Sequence, residues 1–209
     1  MAEIFLQKKI IVHQVFEGVE LLGFETRNKY QFISEGQQVL AYAAEQRKDG
    51  VSFIMRQIFG HWRKMVFYIF DTEKNIIIKA RQPFRFYFQR LEIENSSGVK
   101  LGSLQQRFSL LSKRFDLENK DGLVIMEVSS PLWKPWTFHF IHQGKHLASI
   151  YKKWGGLFSE MFTKKDTFTI EYSDDNLSID EKKVIMTATI FIDLRYFEKQ
   201  GSAFDIISG

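Results

Sequence analysis

The chain has 209 residues, 44% hydrophobic and 26% charged, values that fit a folded domain with a real core and exclude a disordered chain. It has no cysteine, which excludes disulfides, thiolate catalysis, cysteine-ligated zinc and S-palmitoyl anchors. The net charge of +4 is uneven: Lys and Arg outnumber Asp and Glu from Arg56 to Lys153, while residues 160–209 are acidic. A basic middle suits an anionic partner such as lipid headgroups or nucleic acid, unless these charges simply solvate outward strand faces.

Met1-Ala2-Glu3-Ile4-Phe5 lacks the charged start and cleavage pattern of a secretory signal, so a cytoplasmic location is expected. Short extended runs then alternate with turn signals at Ser34-Glu35-Gly36, Lys48-Asp49-Gly50, Asp71 to Asn75, Glu94 to Gly98, Asn119 to Gly122 and Gln143-Gly144. Phe counts 21 and suits a half-buried pleated surface. Phe84, Phe86 and Phe88 read as one face of a strand, with Arg85, Tyr87 and Gln89 opposite. The apolar phase then moves to Leu91 and Ile93, which predicts a bulge near Arg90. Trp136, Phe138 and Phe140 repeat the alternation opposite Thr137 and His139. Phe70-Asp71-Thr72-Glu73-Lys74 and Phe115-Asp116-Leu117-Glu118-Asn119 each precede a proline and an aromatic run, a weak echo of paired hairpin modules. Many strands with one apolar face each must close on one another as a barrel or sandwich, here a single domain over residues 1–209.

Val184 to Phe197 breaks the pattern, being apolar on every side apart from two threonines, Asp193 and Arg195. Asp180-Glu181 lies just upstream, with Ser178 or Asp180 as a cap, which predicts a helix over 184–197. Such a helix is about 21 Å long, short of the roughly 30 Å hydrocarbon core of a bilayer. A helix apolar all round wants protein on all sides, and the simplest arrangement threads it through the barrel. A strand is the alternative, because Ile, Val, Thr and Phe suit strands too. Asp193 inside this run needs a partner, a barrel-wall Arg or Lys or backbone donors, since Arg195 faces elsewhere on the helix. Its expected role is a structural tether.

The chain resembles the phospholipid scramblases, within the tubby-like C-terminal superfamily. The resemblance runs in order through His13-Gln14, Leu22 to Tyr30, Gly36-Gln37, Ala43-Ala44-Glu45 and Arg81-Gln82-Pro83-Phe84-Arg85. It continues at Lys152-Lys153-Trp154-Gly155-Gly156, Glu160-x-Phe162-Thr163, Asp166-x-Phe168, Phe191-Ile192-Asp193 and Tyr196-Phe197-Glu198. It implies a closed antiparallel β-barrel of about twelve strands around a buried hydrophobic helix. It also implies a scramblase-like protein that binds anionic phospholipids at the cytoplasmic membrane face and moves them in both directions. The alternative partner is nucleic acid, in a transcription-regulatory tubby-like module. The Cys-rich segment and Pro-rich N-terminal extension of animal members are absent. The family's proposed calcium loop begins Asp-x-Asp-x-Phe, but here Lys164 stands at the first aspartate, opposing a bound cation. Asp166, with Asp174 and Asp175, are the calcium candidates that remain.

For anionic lipid, the candidate contacts are Lys152, Lys153 and Trp154, since lysine is drawn to an anionic surface and Trp favours the interface. Gly155-Gly156 then opens a short helix, Leu157 to Phe162, whose first amides suit a phosphate. Arg81, Arg85, Arg63 and Lys64 would widen the basic surface. The plainer alternative is a turn with a core tryptophan and solvated lysines. His139, His142 and His146 are closely spaced, but strand alternation turns His139 and His142 to opposite faces, against a metal site. The motifs of serine hydrolases, phosphate-binding loops and zinc proteases do not occur, and no catalytic residue is expected.

Overall fold

Period-two alternation of apolar and polar residues carries the chain through twelve strands: β1 Lys9–Val15, β2 Thr26–Ile33, β3 Val39–Gln46, β4 Met65–Phe70, β5 Ile76–Gln82, β6 Arg90–Asn95, β7 Lys100–Arg107, β8 Ser112–Asn119, β9 Val124–Pro131, β10 Thr137–His142, β11 Lys145–Lys153 and β12 Thr167–Tyr172. Two helices frame them, α1 Glu3–Leu6 and α2 Ile179–Tyr196. This computed structural model describes residues 3–15, 26–46, 64–85, 87–153 and 167–197. Each strand pairs antiparallel with its neighbours in sequence, and β1 pairs with β12 to close the barrel. Closure leaves no free sheet edge. The inward faces, among them Ile10, Phe32, Phe67, Leu91, Leu117, Phe140 and Ile170, form one buried core with α2.

The meander gives the barrel two unlike ends. At one end the strands are joined by short turns. Asp71, Asn95 and Asn119 each accept two backbone N–H bonds through the side-chain Oδ1, the Asx geometry that replaces ladder bonds at a reversal. The expected turns at 34–36, 71–75, 94–98, 119–122 and 143–144 are all here, while Lys48-Asp49-Gly50 lies outside the described residues. The other end carries the longer connections 83–89, 108–111 and 132–136. We term these the turn end and the loop end.

α2 enters at the turn end and runs through the core. It has 18 residues, starting a turn earlier than the apolar run predicts, because Ser178 and Glu181 form a capping box that extends the helix through polar Asp180 to Lys183. Every side chain from Val184 to Leu194 is buried. Thr187 and Thr189 donate to the carbonyls four residues back, which satisfies their hydroxyls without leaving the apolar interior. At the turn end α1 lies against the start of α2, where Lys182 Nζ donates to the Phe5 carbonyl at 2.6 Å.

Two expectations need correction. Phe84, Arg85, Tyr87 and Phe88 do not lie in a strand, and β6 starts only at Arg90, while Phe86 lies outside the described residues. Pro83 supplies no ladder donor, and Phe88 takes a positive φ of 45°, so Tyr87 and Phe88 leave the wall in a loop. The hairpin echo is also one of sequence only. Asp71 opens a turn, whereas Asp116 sits within β8. By contrast, Phe138 and Phe140 of β10 point into the core as the alternation predicts.

Candidate functional site

The inward faces change character at the loop end. Strand alternation carries β1 from Ile10 and Val12 to Gln14, β2 from Phe32 through Tyr30 to Asn28, β3 from Ala43 to Glu45, and β5 from Ala80 to Gln82. On β7, β8 and β11 the same step ends on Gln106, Lys113 and Lys152. The apolar interior therefore opens into a polar mouth around the C-terminal end of α2.

Hydrogen bonds link many of these side chains. Gln14 Nε2 donates to Asn28 Oδ1 at 2.9 Å, and Asn28 Nδ2 donates to Glu45 Oε2 at 2.7 Å, with Glu45 buried. Gln82 Nε2 donates to Gln89 Oε1 at 3.0 Å, and the Gln89 backbone N–H donates to Gln106 Oε1. From α2, Arg195 Nη2 reaches the same Gln106 oxygen at 3.4 Å. Asp193, 2% exposed, accepts from the Tyr30 hydroxyl at 2.7 Å. The expected tether of Asp193 to the wall includes this tyrosine hydroxyl on β2.

The cationic part of the mouth is an aromatic cage. Lys113 Nζ lies 4.9 Å from the Tyr196 ring centre and 4.8 Å from that of Phe197, with the Trp136 and Phe138 rings within 6 Å, and it donates to the Pro135 carbonyl. Lys152 Nζ lies 4.2 Å from the Phe197 ring and 5.7 Å from that of Phe168. Cations over ring faces are attracted by the ring quadrupole, and the C-terminus of α2 adds negative potential. Burial, and then the nearby charge of Lys152, lower the Lys113 ammonium below the ordinary lysine range. Two ammoniums converging on one ring is an arrangement that a phosphate would stabilise, since an anion beside them offsets their mutual repulsion.

The sequence-predicted residues scatter across this picture. Lys152 is only 7% exposed and faces inward, so it is a wall of the mouth rather than part of a surface cluster. The Lys153 side chain, Trp154, Arg63 and Asp166 lie outside the described residues. Arg81 points outward and is ion-paired to Glu94, which removes it from the anion surface expected of it. Lys64 and Arg85 are exposed at the loop end. Asp174 pairs with Lys145 at 2.5 Å and Asp175 with Lys8 at 3.0 Å. Both follow the turn end of β12, whereas Thr167, the residue after Asp166, opens β12 at the loop end. His139 and His146 do approach, with rings 5.6 Å apart sharing the Ser149 hydroxyl. No cluster of three metal-ligating side chains forms among the described residues. Lys113 escaped the sequence reading. Its signal was a lysine in phase with Phe115 and Leu117, on a face that is otherwise apolar.

Gln14, Asn28, Tyr30, Glu45, Gln82, Lys152 and Asp193 are far apart in sequence, belong to the pattern on which the resemblance rests, and meet at this mouth. The family model for scramblases matches residues 1–199. The chain belongs to the scramblase family. It is 27% identical to human phospholipid scramblase 1 over 93% of its own length and 64% of that protein's. Bovine phospholipid scramblase 2 is also 27% identical, over 91% of this chain and 68% of the relative. Yeast altered inheritance rate of mitochondria protein 25 is 24% identical, over 94% and 70%. This family member thus spans somewhat less than two thirds of the mammalian phospholipid scramblase 1 chains it matches. No solved structure matches it significantly.

Proposed function

We propose that this scramblase-family chain is a non-enzymatic lipid-interacting protein that holds anionic phospholipid headgroups at the polar mouth of its barrel, on the cytoplasmic face of a membrane. The observation that carries this reading is the convergence of Lys113 and Lys152 over Phe197. Two caged ammoniums supply charge for a phosphate, and the surrounding glutamines and asparagine supply further donors. Calcium is not required in this reading, because Lys145 and Lys8 already neutralise Asp174 and Asp175.

The physics favours binding over translocation by α2. At 18 residues the helix is about 27 Å long, and it carries Asp180 to Lys183, Asp193 and Arg195. No helix among the described residues is long and apolar enough to cross a membrane. Withdrawing α2 would also expose Val184, Ile185, Met186, Ile190, Phe191, Ile192 and Leu194. At about 1.5–3 kcal/mol per large apolar side chain, the loss is comparable to the whole stability of a domain. The wall argues the same way. Lys79, Arg81, Arg90, Glu92, Glu94, Arg114 and Glu127 occupy its outward faces, where a membrane-spanning barrel has an apolar band.

Flotation with liposomes and a leaflet-exchange assay with fluorescent lipid test this directly. The expected result is flotation with anionic but not with pure phosphatidylcholine vesicles, weakened by the double variant Lys113→Met/Lys152→Met. The exchange rate should equal that of protein-free liposomes, with or without calcium. Faster exchange would make the chain a translocase. Salt-sensitive binding to DNA without binding to vesicles would replace the lipid reading with a nucleic-acid one.

A further inference from the structure

The two ends of the barrel differ in a way that reaches beyond the mouth itself. The loop-end connections expose large apolar side chains: Tyr87 at 81%, Phe108, Leu110 at 78%, Leu111, Leu132 and Trp133 at 77%. They belong to three successive loops that touch. The Leu132 amide donates to the Leu111 carbonyl at 3.2 Å, the Gln106 amide to the Gln89 carbonyl at 2.8 Å, and Gln105 Nε2 to the Phe88 carbonyl. The tips thus form one contiguous crown rather than scattered residues, and exposed apolar patches of this kind mark contact surfaces.

Charge selects the occupant. Residues 83–89, 107–112 and 131–137 contain no Asp or Glu, and they carry Arg85, Arg107 and Lys134. Arg107 is shared with Asp116 and Glu118, but Arg85 and Lys134 are exposed at the loop surface. The turn end is mixed: Glu35, Asp71, Glu73, Asp121, Asp174 and Asp175 stand on its reversals beside Lys74, Lys100, Lys120 and Lys145, and Glu35, Asp174 and Asp175 are ion-paired to lysines. It too exposes aliphatic residues, Val99 and Leu123 among them, but these stand singly on separate turns, 95–99 and 119–123, and do not join into one apolar patch.

We propose that the loop-end crown is a docking face for an anionic phospholipid bilayer. In it Trp133, Leu110 and Leu111 enter the headgroup boundary, while Arg85 and Lys134 contact the phosphates. Apolar side chains flanked by cations suit this boundary, because the ring or alkyl part leaves water while the charge stays at the headgroups. The inference rests on the lipid-binding reading above and deepens it. Docking by the crown turns the mouth, with Lys113 and Lys152, toward the headgroups and points the turn end away.

Flotation of the full chain with vesicles of phosphatidylcholine containing phosphatidylserine tests the face. The variants are Leu110→Glu/Leu111→Glu and Trp133→Glu at the crown, and Leu123→Glu at the turn end. All four positions are exposed, so unfolding midpoints should stay at the wild-type value. The expected result is roughly tenfold or greater loss of vesicle binding for both crown variants and wild-type binding for Leu123→Glu. Equal binding by all variants overturns the crown while leaving lipid binding by the mouth intact. A wild-type protein that fails to float overturns the lipid reading and the crown with it. A wild-type dimer in solution that Leu110→Glu/Leu111→Glu splits overturns the crown in favour of self-association.

Discussion

Asp193 is a carboxylate inside a core, and its bond from the Tyr30 hydroxyl ties α2 to β2 across 163 residues of sequence. Removing that hydroxyl strips a donor from a buried acid, which costs about 1–3 kcal/mol. Tyr30→Phe should lower unfolding stability by that amount in a urea titration with an unchanged slope. Lys113 makes a second statement at this scale. Burial, and then Lys152, lower its ammonium below 10.5 when folded, so the unfolded chain holds the proton more tightly. The penalty is fully present below the folded value and is relieved as pH rises toward 10.5. Raising the pH from neutral through that window should therefore raise the thermal midpoint of wild type relative to Lys113→Met. Parallel pH profiles in the two proteins would show that Lys113 is not perturbed.

The fit of α2 inside its wall depends on where the backbone comes close. Gly102 on β7 faces the helix, where a Cβ would lie 3.6 Å from Val184 Cγ2 and 2.4 Å from the carbonyl oxygen of Glu118 on β8. The second contact is with backbone, so neither side yields by a rotamer change. Gly102→Ala is expected to destabilise by roughly 1–3 kcal/mol, measured by denaturant unfolding. The connections follow a related logic. Pro83 ends β5's hydrogen bonding, and Tyr87 and Phe88 behind it are exposed at the loop end instead of entering the core. An alternation of Phe with polar residues specifies a strand only when the backbone donors are also available to pair.

Across the whole molecule the features divide by end. α1 and the short turns lie at the start of α2, and the polar mouth and apolar crown surround its finish. Because the helix fills the barrel, lipid contact and helix departure are separable by hydrogen exchange. The amides of Val184 to Leu194 should be among the slowest to exchange in the free protein and equally slow with anionic vesicles present. Protection of the 107–112 and 131–137 loops should increase on vesicle binding. Rapid exchange of the helix in the presence of vesicles would mean that it leaves the barrel, and would restore it as a membrane-inserting element.

Sequence alone determined the elements whose signal is local. Ser178 and Glu181 placed the helix start in reach of a reader, the Asx and glycine turns marked five reversals, and an apolar run too short for a bilayer had to find protein on all sides. Together with the pattern from His13 to Glu198, they make the barrel with its central helix legible in the sequence. What only the tertiary structure decided is which side chains meet. Lys152 looks like a surface lysine beside Lys153 and Trp154, yet barrel closure makes it an inward residue that shares the Phe197 ring with Lys113. Arg81 looks like a basic-patch residue until β5 pairs with β6 and brings up Glu94. Both outcomes depend on partners tens of residues distant, and strand periodicity gives the face of a residue but not what lies across from it.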